Sequence, residues 1–194
     1  MNRDDAWTLL CEHTQSEALR RHALAVEAVM RAFARRHGGD GDLWGMVGML
    51  HDFDYERYPD PNEHARVGAR ILRERGWPEE VARAVESHNS ATGVPRESAL
   101  EKTLFAVDEL TGFLAAVALV RPTKSIHDVE PKSVRKKMKD SSFARAVSRD
   151  DIVNGAADLG VDLDAHIGEV IAAMREVAAG IGLEGIGLGG QGPV

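Results

Sequence analysis

The chain has 194 residues, 43% of them hydrophobic and 28% charged, with a formal net charge of −7. This suits one soluble globular domain with a sizeable core, and the negative balance argues against general nucleic-acid binding. A single cysteine, Cys11, excludes an internal disulfide and a cysteine-based zinc site.

The first residues, Met1-Asn2-Arg3-Asp4-Asp5, lack the apolar core of a signal peptide. The longest apolar stretch, Phe113 to Val120, is too short to span a membrane, so a cytoplasmic protein is expected. Asp4 or Asp5 can cap a short helix through Trp7, Leu9 and Leu10. Ser16 caps a second, from Glu17 to about His37, with Leu19, His22, Val26, Val29, Met30 and Phe33 at helical spacing. Asp42 starts a helix that ends at His51-Asp52. A loop with Pro59 and Pro61 as breakers follows. Asn62 caps a helix that places His64, Val67, Gly68, Ile71 and Leu72 on one side. Pro78 opens the next, with Val81, Val85 and His88 inward. The longest helix runs from about Ala99 to Val120, with Asp108 in its apolar line. Short helices are expected at Pro131–Met138 and Ser142–Val147, then one from Asp150 or Asp151 to Leu159, then an amphipathic one capped by Asp162. The pattern predicts an all-α fold, a domain over residues 1–183, and a flexible Gly-rich tail over 184–194.

Six polar groups interrupt this pattern. His22, His51, His64, His88 and Asp108 each lie on an apolar helical stripe, and Asp52 adjoins His51. A lone inward histidine is usually satisfied by a backbone carbonyl. Six such groups across five helices are a different matter, because imidazoles and carboxylates are the ligands of Mn, Fe, Zn, Co or Ni.

Residues 20–110 resemble the HD-domain superfamily of metal-dependent phosphohydrolases (HDIG-like). The family order H…HD…H…H…D is met by His22, His51-Asp52, His64, His88 and Asp108. The stretches HARVGARILRERGWPEEVARAVESHN and LEKTLFAVDEL are similar to the family's flanking helices. The resemblance implies a helical HD bundle with extra C-terminal helices and two divalent transition metals per chain, with Mg also admitted. It implies that His22, His51, Asp52 and Asp108 hold one metal and His64 and His88 the other. Asp52 would bridge them and carry the catalysis. The activity so implied is hydrolysis of a nucleotide or other small phosphate ester, as a phosphomonoesterase or phosphodiesterase, through a metal-activated water. Two further readings stand beside it: a di-iron HD-type oxygenase and a non-catalytic metal-binding module.

Tyr55 stands where many two-metal members carry a lysine that reaches phosphate. Phosphate positioning is therefore expected from Arg57, close in sequence, and from Arg121 and Lys124. The latter two begin a basic segment, residues 121–149, with nine Lys/Arg against three Asp/Glu. That segment reads either as a solvated face balancing acidic neighbours or as a rim that draws in a small anionic phosphorylated substrate. RNA binding is disfavoured because only Phe143 could stack among the charges. The sequence leaves room for a homo-oligomer. His13 and His37, near helix C-termini, read as surface residues. Asp54 and Glu109 read either as supports of the ligands or as solvated carboxylates.

Overall fold

The computed structural model describes residues 1–186, and among them every regular element is helical. The α-helices are α1 (Arg3–His13), α2 (Glu17–His37), α3 (Gly41–Leu50), α4 (Arg66–Glu74), α5 (Glu79–His88), α6 (Ala99–Leu119), α7 (Pro131–Met138), α8 (Arg149–Asp158) and α9 (Leu163–Glu176). Their starts are set by side chains. Asn2, Ser16, Asp40, Ser98, Ser148 and Asp162 each accept a hydrogen bond from a first-turn N–H. At the other end of α2, Gly38 takes the left-handed conformation (φ 66°) that lets the chain turn away. No described helix is long and apolar enough to cross a membrane.

The two 21-residue helices, α2 and α6, are each roughly 31 Å long at 1.5 Å per residue and form the centre. α2 packs most extensively on α3 and also against α6 and α9, while α6 packs most extensively on α8. Val26, Met30, Leu50, Leu104, Leu110 and Phe113 fill the space between them and are fully buried. The closest approach of α3 to α2 falls at Gly48, where a β-carbon would come within 2.9 Å of the Val26 carbonyl oxygen. Buried Glu27 adds a polar tie. It accepts two hydrogen bonds from Arg3 (2.7 and 2.8 Å) and one from Arg31 (3.0 Å), joining α1 to α2. A buried carboxylate is tolerable only with such partners.

The structure departs from the sequence expectations at four places. The helix expected to start at Asn62 begins only at Arg66, because Ala65 has φ 68° and breaks the turn. That conformation costs an alanine on the order of 1–3 kcal/mol, so something must hold it. The Asp54 carboxylate does, accepting from the N–H groups of Ala65 (3.0 Å) and Gly68 (2.8 Å). The short helix expected at 142–147 is a set of turns, pinned by Arg149 donating to the carbonyls of Phe143, Ala144 and Val147. His13 is buried, not on the surface, with its ring edge-on to Phe53 at 5.2 Å.

The fourth departure is at the C-terminus. Ile181 and Leu183 are buried, the Leu183 carbonyl accepts from Ile126 N–H (2.9 Å), and Ile186 N–H donates to Thr123 (2.8 Å). The part of the expected tail at 184–186 is thus tied to the loop before α7; the remainder, 187–194, lies outside the described residues.

His166 links α9 to α6. Its Nε2 donates to the Ala106 carbonyl at 3.0 Å, and its ring meets Phe33 edge-on. Burial pushes its pKa below the ordinary value, against a smaller upward pull from the carbonyl. The unfolded chain therefore takes up a proton near pH 6.5 that the folded chain refuses. The sign follows: this contribution to stability is complete above about pH 6.5 and is lost as pH falls towards the depressed folded value. A His166→Phe variant should lose less melting temperature between pH 7 and pH 5 than the wild type. It should melt lower at pH 8, because the bond from His166 Nε2 to the Ala106 carbonyl is lost, at about 0.5–1.5 kcal/mol. An unchanged pH slope would show that folding leaves the His166 pKa where it is in the unfolded chain.

Candidate metal centre

Five elements deliver the six inward polar groups to one point. His22 comes from the second turn of α2, His51 caps α3, and Asp52 follows it directly. His64 lies in the turn before α4, His88 ends α5, and Asp108 sits halfway along α6. His22 Nε2 is 3.0 Å from Asp108 Oδ1, and His51 Nε2 is 3.2 Å from the same oxygen. His51 Nε2 is also 3.3 Å from Asp52 Oδ2. The other oxygen of that carboxylate, Oδ1, is 3.0 Å from His64 Nε2 and 3.3 Å from His88 Nε2.

The ligand atoms thus form two groups, His22–His51–Asp52–Asp108 and Asp52–His64–His88, each with its atoms within 4.8 Å of one another. Asp52 belongs to both. The sequence-predicted ligand residues are all brought together.

Three of the rings are aimed from behind. His51 Nδ1 donates to the Gly48 carbonyl (2.8 Å), His88 Nδ1 to the Val85 carbonyl (2.5 Å), and His64 Nδ1 to Asp54 Oδ1 (2.9 Å). With Nδ1 carrying the hydrogen, each neutral ring presents an Nε2 lone pair to the centre, which is how metal-ligating histidines are normally oriented. Asp54 is the residue whose role the sequence left undecided. It is fully buried and holds both the His64 ring and the irregular backbone at Ala65. Gly68 makes this possible, since a β-carbon there would sit 2.9 Å from the Asp54 Cγ.

The residues fit a cation on their own evidence. His51 Nε2 is buried and has no hydrogen-bond partner, although two carboxylate oxygens face it. A lone pair turned towards two anionic oxygens is repulsive unless a proton or a metal lies between them. The titration behaviour without metal says the same. Burial opposes charging of His51, yet Asp52 and Asp108 hold its pKa well above the ordinary value. Burial alone would raise Asp52 and Asp108, but His51 and the neighbouring imidazoles hold both well below the usual carboxylate range. His64, despite burial, is raised to about 9 by Asp52 and Asp54. The centre demands positive charge, and divalent metal is the conventional supplier for this donor set.

The centre opens into a cavity of about 450 Å³, walled also by Leu19, Tyr55, Asn89, Phe105, Glu109 and Val147. Glu109 has its pKa pushed up to about 7, by burial first and by the Asp108 charge second. Among the described residues no lysine or arginine lines this cavity.

The three cations expected to position phosphate are placed elsewhere. Arg57 is exposed and donates to the Glu12 carbonyl. Arg121 lies thirteen residues beyond Asp108, roughly 20 Å along the helix axis, and donates to Ser133 Oγ at 2.6 Å. Lys124 is exposed in the loop after α6 with φ 52°. What the basic segment does bring to the cavity is uncharged, namely Ala146 and Val147. No sequence signal separated these small side chains from their charged neighbours. Only the Arg149-pinned turns bring them there.

Residues 19–112 match the HD domain family, a stretch just under half of the chain. Over 100 residues the chain is 39% identical to an uncharacterized protein of Methanocaldococcus jannaschii, MJ0778; the match covers 49% of this chain and 58% of that protein. No solved structure was found to match. The family match and the His/Asp cluster together support the HD superfamily, whose members typically are metal-dependent phosphohydrolases.

Replacing Asp54 should expose its role directly. In metal-free Asp54→Ala protein the His64 ring keeps only one carboxylate partner, so its titration midpoint should fall from about 9. Metal affinity of the Asp52–His64–His88 group should drop about ten- to a hundredfold, the usual cost of losing a partner behind a ligand. An NMR titration of the histidine rings and a metal titration measure the two effects. A His64 midpoint that stays put would mean that Asp54 serves the Ala65 turn alone.

Proposed function

We propose that the protein is a metal-dependent phosphohydrolase that binds two divalent ions through His22, His51, Asp52, His64, His88 and Asp108. The observation that carries this reading is the division of the Asp52 carboxylate, one oxygen facing His51 and the other facing His64 and His88. When bound, such ions lower the pKa of water to about 7 and neutralise charge on a phosphoryl group. Everything else falls to the chain's own residues. The Nδ1–H bonds of His51, His64 and His88 keep the rings in the metal-binding tautomer. The apolar surround of Leu19, Phe105 and Val147 lowers the local dielectric, which strengthens attraction between the centre and an anion. Two divalent ions outweigh the two carboxylate ligands, so the loaded centre is cationic and attracts phosphate without help from lysine or arginine. The finer class, monoester or diester and nucleotide or other small ester, is part of the same proposal.

The bare wall does not select between this reading and a second, a di-iron oxygenase. Tyr55, exposed at the rim with its ring edge-on to His64 at 5.1 Å, stands where a cationic side chain would be expected for phosphate. A cavity without cations suits oxygen-dependent chemistry at two irons as well as ester hydrolysis.

Chelated protein should be inactive on 4-nitrophenyl phosphate and bis(4-nitrophenyl) phosphate and should recover activity with Mn, Co, Ni, Fe or Zn. Asp52→Ala should lose metal and activity together, because it removes the ligand common to both groups; elemental analysis and rate assays read this out. Hydrolysis without metal would overturn the proposal. Substrate-dependent oxygen uptake by the iron-loaded protein, with no phosphate released from any ester, would move the assignment to the oxygenase. An Asp52→Ala protein that keeps two ions per chain would refute the shared carboxylate.

A further inference from the structure

A second cavity, of about 380 Å³, lies against the first and shares two of its wall residues, His22 and Gly112. Its character is different. It runs between α2, α6 and the segment after α9, walled by Ala25, Ala115, Ala116, Met174 and Leu183, with Leu119 at an exposed edge. Arg21 is the charged side chain on its wall, and it is already paired with Glu17 at 2.6 Å. Gly112 leaves space at the junction: a β-carbon there would meet nothing nearer than His22 Cε1 at 3.8 Å. Thr111 lies behind this wall, fully buried, with its hydroxyl closed off from the cavity.

We propose that this second cavity binds the hydrocarbon part of a substrate whose anionic head lies at the metal centre. This rests on the phosphohydrolase reading and narrows it to phosphate esters of apolar alcohols. A nucleobase fits poorly, because its polar edge would face alanine, methionine and leucine. From Gly112 to Leu119 the wall of α6 is roughly 10 Å long, the reach of an extended chain of roughly eight carbons. The same feature accounts for a centre without lysine or arginine: part of the binding energy comes from apolar burial, leaving the head to the metals.

The test is calorimetric titration of the metal-loaded protein with n-alkylphosphonates of two to ten carbons, which resist hydrolysis, and with 1-octanol as a headless probe. Affinity should tighten about three- to fourfold per added methylene and level off near eight carbons. Two variants narrow the groove in different ways. Ala115→Trp, on a half-buried position, should fill it, and Leu119→Asp, on an exposed one, should place a charge at its edge. Each should reduce the ratio of octyl- to ethylphosphonate affinity at least tenfold. Affinity independent of chain length, or a ratio unmoved in Leu119→Asp, would overturn the proposal while leaving the phosphohydrolase reading intact. If 1-octanol binds as tightly as octylphosphonate and ethylphosphonate does not bind, the apolar site is supported and the phosphate reading of the metal centre fails.

Discussion

A carboxylate cannot sit half-buried between imidazoles and a second carboxylate without positive charge to meet it, and Asp52 is so placed. The effective penalty for burying one such ion is several kcal/mol. Asp108, a few ångströms away across the shared His51 nitrogen, doubles the demand. Protons on the histidines satisfy it in the metal-free chain, which is why His51 and His64 hold theirs so firmly. A metal satisfies it better, because one ion can meet several oxygens and nitrogens at once.

The fold serves that demand by bringing helix ends and one helix middle to a single point. α2 and α6 form a rigid floor bearing His22 and Asp108, and α3 is pressed onto α2 through Gly48, whose carbonyl also orients His51. The opposite wall is less regular. Ala65 is held in a strained conformation by Asp54, and the same carboxylate grips the His64 ring. One buried acid therefore fixes both where the backbone breaks and where the ligand points. Strain of this kind persists where surrounding structure over-determines it, as here.

The cavities divide the labour of recognition. The metal-centre cavity offers positive charge only through whatever ions its ligands hold, with Glu109 and Asp151 also on its wall, while its neighbour is walled largely by methyl and thioether groups. The cationic segment that looked in sequence like a substrate rim spends its charges elsewhere. Arg149 caps turns, Arg121 ties α6 to α7 through Ser133, and Arg135 pairs with Asp164 on α9 at 3.2 Å. Net charge along a chain says little about direction, because a long side chain goes to whichever acceptor the packing leaves within reach.

The sequence by itself determined most of the helices and the six inward His and Asp residues that the structure gathers. Ser16, Gly38, Ser98–Glu101 and Asp162 are local signals that act within a turn or two, so the bounds of α2, α6 and α9 can be read from neighbours in the chain. The six inward polar groups were legible for a related reason: helical spacing places each on a face that burial would make costly unless a partner is present. What the tertiary structure alone decided was direction and pairing between distant residues. Asp54 became a buried support and not a solvated acid because Gly68 and Ala65, more than ten residues on, present two N–H groups to it. Arg57, Arg121 and Lys124 do not line the metal-centre cavity: Arg57 donates to the Glu12 carbonyl, Arg121 to Ser133, and Lys124 lies in solvent. Ile181 and Leu183, in a glycine-rich stretch with no periodicity, found burial against the loop before α7. Local signals fix where a helix starts and stops; long-range contacts fix where a side chain points, and the centre needs both.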